Sequence, residues 1–143
     1  MNKATLWLRL ASIVTFLFAL GHTIGFSQPS GEAGEQAIRN AMQSSPFDLV
    51  GTRVNYWDLF LGFGYSIGLL FLMQAVLLWL TAGAAARNEG IARPSIIVFL
   101  LANAINMALL LKYFFIVPQV FEGVIVVLLV IALITDRRAA ATA

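Results

Sequence analysis

The 143-residue chain contains no cysteine. Disulfide staples, thiolate metal centres and cysteine nucleophiles are therefore excluded together. The compartment stays open, because a cysteine-free chain suits either redox environment. There is a single histidine, His22, so a haem with two histidine ligands would need two copies of the chain. Charge is scarce as well: 11% of residues are Asp, Glu, Lys or Arg, against about a quarter in a soluble domain. Water is thus not the main solvent for this surface. The nine basic residues are scattered rather than clustered, which argues against a nucleic-acid partner. The chain also lacks a Gly-rich phosphate loop, an HExxH motif and a GxSxG elbow. A metal held by His22, Asp58 and Glu122 would have no ligand-spacing signature. No metal and no cofactor is expected.

What is present is apolar: 60% of the chain is hydrophobic. Runs at 6–26, 57–82, 95–111 and 119–135 each approach or exceed the ~20 residues that cross a bilayer core. Lys3 and Arg9 before the first run also suit a signal peptide. However, no small-x-small cleavage site follows Leu20 and the apolar character continues past His22 to Phe26, so a retained helix is expected. Pro94 opens the third run, a favourable place for proline in a first helical turn. The stretch from Ser95 to Ile134 is too long for one crossing. Lys112 and Pro118 divide it, with Tyr113 to Val117 as a tight connection.

The connection at 27–56 is polar and carries Pro29, Gly31, Gly34, Pro46 and Gly51. Within it, Ala33, Ala37, Ile38, Ala41 and Met42 fall at helical spacing, which predicts a short amphipathic helix over Glu32 to Gln43. A connection of this length is often a lid or docking surface; equally, it simply joins two helices. With the N-terminus inside, the cytoplasmic segments hold Lys3, Arg9, Arg87, Arg93, Arg137 and Arg138. The outer ones hold Arg39, Arg53 and Lys112. Six against three follows the positive-inside rule. Tyr56, Trp57, Trp79 and Tyr113 lie where aromatic belts belong. The expected fold is an all-α membrane protein: a four-transmembrane-helix bundle, N-in and C-in, with a short amphipathic helix in a long outer loop.

Each ionisable group near a span needs an explanation, since hydrocarbon solvates charge poorly. His22 lies about one turn from the outer end of the first helix and Asp58 in the first turn of the second. Asn103 and Asn106 share a face of the third, and Glu122 lies near the outer end of the fourth. Polar groups thus converge on one side of the bilayer. Arg53, Tyr56, Trp57, Tyr65 and Tyr113 complete a candidate ligand-binding set around them, with His22 and Asp58 as the candidate catalytic pair. Bland roles compete throughout. A lone histidine commonly serves packing, Asp58 and Glu122 suit helix N-terminal dipoles, and asparagines glue helices together. Lys112, opposite Asn103, is expected to snorkel to the headgroups. Gly21 to Gly25 and Gly64 to Gly68 are small-xxx-small patterns that permit close helix approach.

The combination of Gly21-His22-Thr23-x-Gly25, Pro46-Phe47 with Gly51-x-Arg53, and Tyr56-Trp57-Asp58 leading into Gly62-Phe63-Gly64 resembles a family of small bacterial four-helix integral membrane proteins. The likeness extends to Gln74 through Trp79 and to Tyr113-Phe114-Phe115 before Pro118, and so covers most of the chain. It implies the fold and a bacterial inner-membrane location, and no established activity. A looser architectural likeness joins it to four-helix proteins that bind sterols or quinones.

Three functions are compatible with these residues. The leading one is a non-catalytic module that binds a lipophilic small molecule in an outward-facing polar pocket or docks on a partner membrane protein. A second is a membrane enzyme acting on a lipid-like substrate, with His22 as acid/base oriented by Asp58. The third is a small transporter, working as a homodimer because four spans leave little room for a path; no inverted repeat supports it.

Overall fold

The structure is a computed structural model that describes residues 3–29 and 31–136. Arg137 and Arg138, two of the topology markers, lie outside the described residues. Seven elements follow in order: α1 (Lys3–Gly25), α2 (Ala33–Ser44), β1 (Pro46–Leu49), β2 (Thr52–Asn55), α3 (Tyr56–Ala86), α4 (Ala92–Tyr113) and α5 (Ile116–Thr135). Four helices, α1, α3, α4 and α5, are long and apolar enough to cross a membrane, with mean hydropathy between 1.7 and 2.5. The 20 residues of α5 rise about 30 Å, the thickness of the hydrocarbon core. Leu69, Leu70, Leu80, Val98, Leu101 and Ile105 stand exposed along these helices. Such an apolar surface is untenable in water and natural in lipid. The pattern is that of a multi-pass membrane protein.

The residues group into two compact units, one of 1–18 with 71–143 and the other of 19–70. In the first, α1, α3, α4 and α5 meet around Leu8, Leu78, Ile96, Ile125 and Leu129, interleaved with Ala11, Ala82, Ala85, Ala92 and Ala132. Alanine at these positions lets helix backbones approach closely, the main source of packing energy when lipid is the alternative solvent. Phe18 stacks on Phe121 at 5.2 Å and meets Phe71 edge-on at 4.8 Å. Helices α4 and α5 form an antiparallel hairpin. Gln119 Nε2 donates to the Leu110 and Phe114 carbonyls at one end, and Arg93 to the Leu133 and Asp136 carbonyls at the other. Both side chains thus bond carbonyls at or just past a helix C-terminus, where backbone partners run out; the Leu110 carbonyl also accepts the Phe114 N–H.

Element boundaries depart from the apolar runs for identifiable reasons. Helix α3 continues to Ala86 because Ala84, Ala85 and Ala86 are strong helix formers. The α4–α5 connection is only Phe114 and Phe115, and Pro118 falls inside the first turn of α5, where its missing N–H costs nothing. Glu122 is consequently beyond that first turn and is not held by the helix dipole.

The second unit contains a hairpin that the residue pattern did not announce. Strands β1 and β2 pair antiparallel, with Asp48 opposite Arg53. Val50 and Gly51 form the turn at φ 51° and 80°, as a type I′ turn requires. A β-branched residue is disfavoured there, so the usual Asn-Gly signal is absent. The Asp48 carboxylate compensates by accepting the Gly51 N–H at 2.8 Å.

Candidate functional site

The second unit holds a cavity of about 190 Å³, lined by Phe26, Glu35, Ile38, Arg39, Met42, Trp57 and Phe60. Its first wall is α2. Glu35, Ile38, Arg39 and Met42 are spaced i, i+3, i+4 and i+7, which sets them on one helix face. Its second wall is the start of α3, where the Asn55 side chain caps the helix by accepting the Asp58 N–H at 2.8 Å. Trp57 and Phe60, one turn apart, then lie with ring centroids 5.3 Å apart. Phe26, just past α1, closes the side, its ring 5.7 Å from that of Phe60.

Arg39 ties the walls together. Its guanidinium pairs with Glu35 at 3.1 Å, lies 4.4 Å from the centroid of the Trp57 ring and reaches the Ser27 carbonyl at 3.5 Å. The ion pair supports the helix modestly. The cation–π contact aligns the charge with the aromatic wall, an attraction that strengthens where water is excluded. The site therefore combines five apolar or aromatic side chains with one charged pair. That mixture suits a lipophilic molecule oriented by a single polar group.

Behind Phe26 lies a tight packing layer. His22 Nε2 hydrogen-bonds the Gly64 carbonyl at 3.0 Å, and its ring stacks on Phe26 at 5.3 Å. Tyr65 meets Phe26 edge-on at 4.9 Å. Gly64 and Gly68 make this approach feasible. A Cβ at Gly64 would collide with the Phe26 ring, and one at Gly68 with the Thr23 hydroxyl.

The residues expected from the sequence fall in both units. In the second are His22, Arg53, Tyr56, Trp57, Asp58 and Tyr65. Of these, Trp57 lines the cavity and His22 and Tyr65 brace its Phe26 wall. Arg53 is exposed on β2. Tyr56 is exposed, with its ring 4.7 Å from that of Phe47. Asp58 is exposed in the first turn of α3, where the dipole favours it. In the first unit, Asn103 is buried, accepts from Gln74 Nε2 at 2.9 Å and donates to the Phe99 carbonyl at 2.7 Å. Asn106 is half-buried and Glu122 is fully enclosed. Tyr113 is exposed beneath the Lys112 ammonium, 5.0 Å away.

Sequence reasoning did not identify Phe26, Glu35, Ile38, Arg39, Met42 and Phe60 as site residues. The usable signal was the Glu35/Arg39 pair within the segment already read as helical, which marks the face that Ile38 and Met42 share. The alanines proved misleading, since Ala33, Ala37 and Ala41 are exposed. Comparison of the chain with protein-family models, curated proteins and solved structures finds no match.

Proposed function

We propose that this multi-pass membrane protein binds the ring-bearing end of a lipophilic small molecule, without chemical conversion, in the pocket between α2 and the start of α3. The observation that carries the reading is the cavity of about 190 Å³ walled by Phe26, Trp57 and Phe60, with the Arg39–Glu35 pair at one side. Its size decides what fits. An apolar cavity of about 150 Å³ holds one benzene, so this one takes a single substituted ring or a branched chain end. A whole sterol exceeds it. Offset or edge-on stacking against the wall contributes roughly 0.5–1.5 kcal/mol per ring pair beyond area burial. Arg39 supplies donors for a carbonyl, hydroxyl or carboxylate on that ring.

The reading puts 27–56 on the outer side of a bacterial inner membrane. It follows the excess of basic residues in the segments assigned to the cytoplasm and the resemblance carried by Gly21-His22-Thr23-x-Gly25 and Tyr56-Trp57-Asp58. The remote part of the ligand would then lie in lipid, with its polar ring at the interface.

Native mass spectrometry on protein released gently from its own membrane tests this. The expected spectrum shows a discrete additional mass of small-molecule size that is retained in Lys112→Ala and lost in Trp57→Ala. A bare chain, or an adduct indifferent to Trp57→Ala, overturns the reading. A protein-sized addition would also overturn it, in favour of an accessory subunit.

A further inference from the structure

We propose that Glu122 is a proton-binding site enclosed among the membrane-spanning helices. Every residue on which this rests belongs to the first unit, so it stands independently of the pocket above. Glu122 is the seventh residue of α5, about 9 Å along the axis from the helix start. It heads the buried stripe that continues through Ile125, Leu129 and Ala132, so its side chain faces helices rather than lipid. None of its surface reaches solvent, and a side chain of this length cannot snorkel out from there. The Asn106 amide lies alongside, yet among the described residues no donor meets either carboxylate oxygen in hydrogen-bond geometry.

A neighbouring positive charge could have resolved this, and the described cations of the unit are otherwise engaged. On α5 Glu122 is the sole ionisable side chain, and α3 has none over 71–86. On α4, Arg93 bonds the Leu133 and Asp136 carbonyls at the far end of the hairpin. Lys112 is exposed with its ammonium over Tyr113. On α1, Arg9 lies over the Trp79 ring and Lys3 is exposed. A carboxylate with one neutral amide beside it and no counter-charge is poorly tolerated in hydrocarbon. Binding a proton removes the charge and needs no added space, whereas a metal or organic cation would need both room and further ligands. The bound proton also makes the acid a donor, and an amide can answer either form, donating through its NH2 to a carboxylate or accepting through its oxygen from the acid once turned about. Loss of the proton would leave an enclosed charge that one neutral amide solvates incompletely, so α4 and α5 part to admit water. Glu122 thereby couples proton occupancy to closure of this helix hairpin.

Infrared spectroscopy on the full chain in lipid vesicles, titrated with pH, tests the proposal. At neutral pH the wild type is expected to show the carbonyl stretch of a protonated carboxylic acid, absent in Glu122→Gln. Alkaline titration should remove it while amide exchange rises around Asn106 and Glu122. Because Gln mimics the protonated acid, the variant should keep slow exchange at both pH values. A wild type without the acid band at neutral pH overturns the proposal whatever the variant does. So does a band unchanged in Glu122→Gln, or exchange that rises equally in both proteins. If the variant fails to insert, labelling the wild type with dicyclohexylcarbodiimide decides. An adduct mapped to Glu122 supports the site, and its absence there overturns it.

Discussion

His22 Nε2 donates to the carbonyl oxygen of Gly64 across 3.0 Å, joining the end of α1 to the first half of α3. A carbonyl can only accept, so this contact fixes the imidazole with a hydrogen on Nε2. The same ring stacks on Phe26, which walls the cavity. The histidine that stands out in the sequence as a candidate acid/base is therefore engaged as a brace. Its position is set by a backbone carbonyl, and Asp58 sits exposed in the first turn of α3.

Replacing His22 by alanine removes both the hydrogen bond and the stacked face. Interhelical hydrogen bonds in membranes contribute about 0.6 kcal/mol on average and at most about 1.7. Loss of ring packing adds a comparable amount. The expected destabilisation is about 1–3 kcal/mol in reversible unfolding from mixed micelles, with His22→Gln recovering part of it through its own amide donor. Unchanged stability in His22→Ala would show that the bond does not hold α1 to α3.

Gly64→Ala should act on the pocket rather than on the spans. The added methyl would enter the space of the Phe26 ring, whereas at Gly62 nothing lies within 4 Å of a new Cβ. Displacing Phe26 removes one of three aromatic walls. Binding of a ring-bearing apolar probe, followed by quenching of Trp57 in a Trp7→Phe, Trp79→Phe background, is expected to weaken roughly tenfold, about 1.4 kcal/mol. Gly62→Ala should bind as the parent does. Equal affinity in the two variants would dissociate Phe26 from the site.

How far the residues alone revealed this depends on which force is involved. The membrane-crossing helices follow from apolar runs, because lipid solvation acts on every residue of a span and sums over about 20 positions. Burial of Glu122 was not legible. Its sequence position near Pro118 suggested a first turn, and only the register of α5 turns it onto the Ile125–Leu129 stripe. The hairpin was hidden because Val50 occupies a position that usually advertises itself with Asn or Gly. The cavity depended on tertiary contacts from three chain segments, whose local marks were the aromatic-belt place of Trp57 and the i, i+4 spacing of Glu35 and Arg39. Polar residues drew attention to function, yet the observed pocket is mostly aromatic and aliphatic.

The turn between α3 and α4 carries a pH prediction whose small size is the point. Arg87 Nε donates to Glu89 at 2.6 Å, and this hydrogen bond holds the Glu89 carboxyl below the ordinary glutamate range and the Arg87 guanidinium above its own. A lowered carboxyl contributes stability above its unfolded-state value and loses it as pH falls through the folded-state value. The arginine's contribution is lost only in strong alkali. Both side chains are largely exposed, so the pair is screened and weak. The backbone does more: Glu89 N–H bonds the Ala84 carbonyl at 3.0 Å and Asn88 N–H the Ala85 carbonyl at 3.4 Å. Asn88 takes φ 62° to allow this, a helix-ending conformation that Asn tolerates better than other side chains. Acidification below the carboxylate range should therefore raise amide exchange across 88–92 only slightly, after correction for the intrinsic rate. Asn88→Ala, which places an ordinary side chain in the left-handed region at a cost of about 1 kcal/mol, should raise it several-fold at neutral pH. The reverse order, with acid opening the turn and Asn88→Ala leaving it closed, would mean that the ion pair and not the backbone sets the α3–α4 connection.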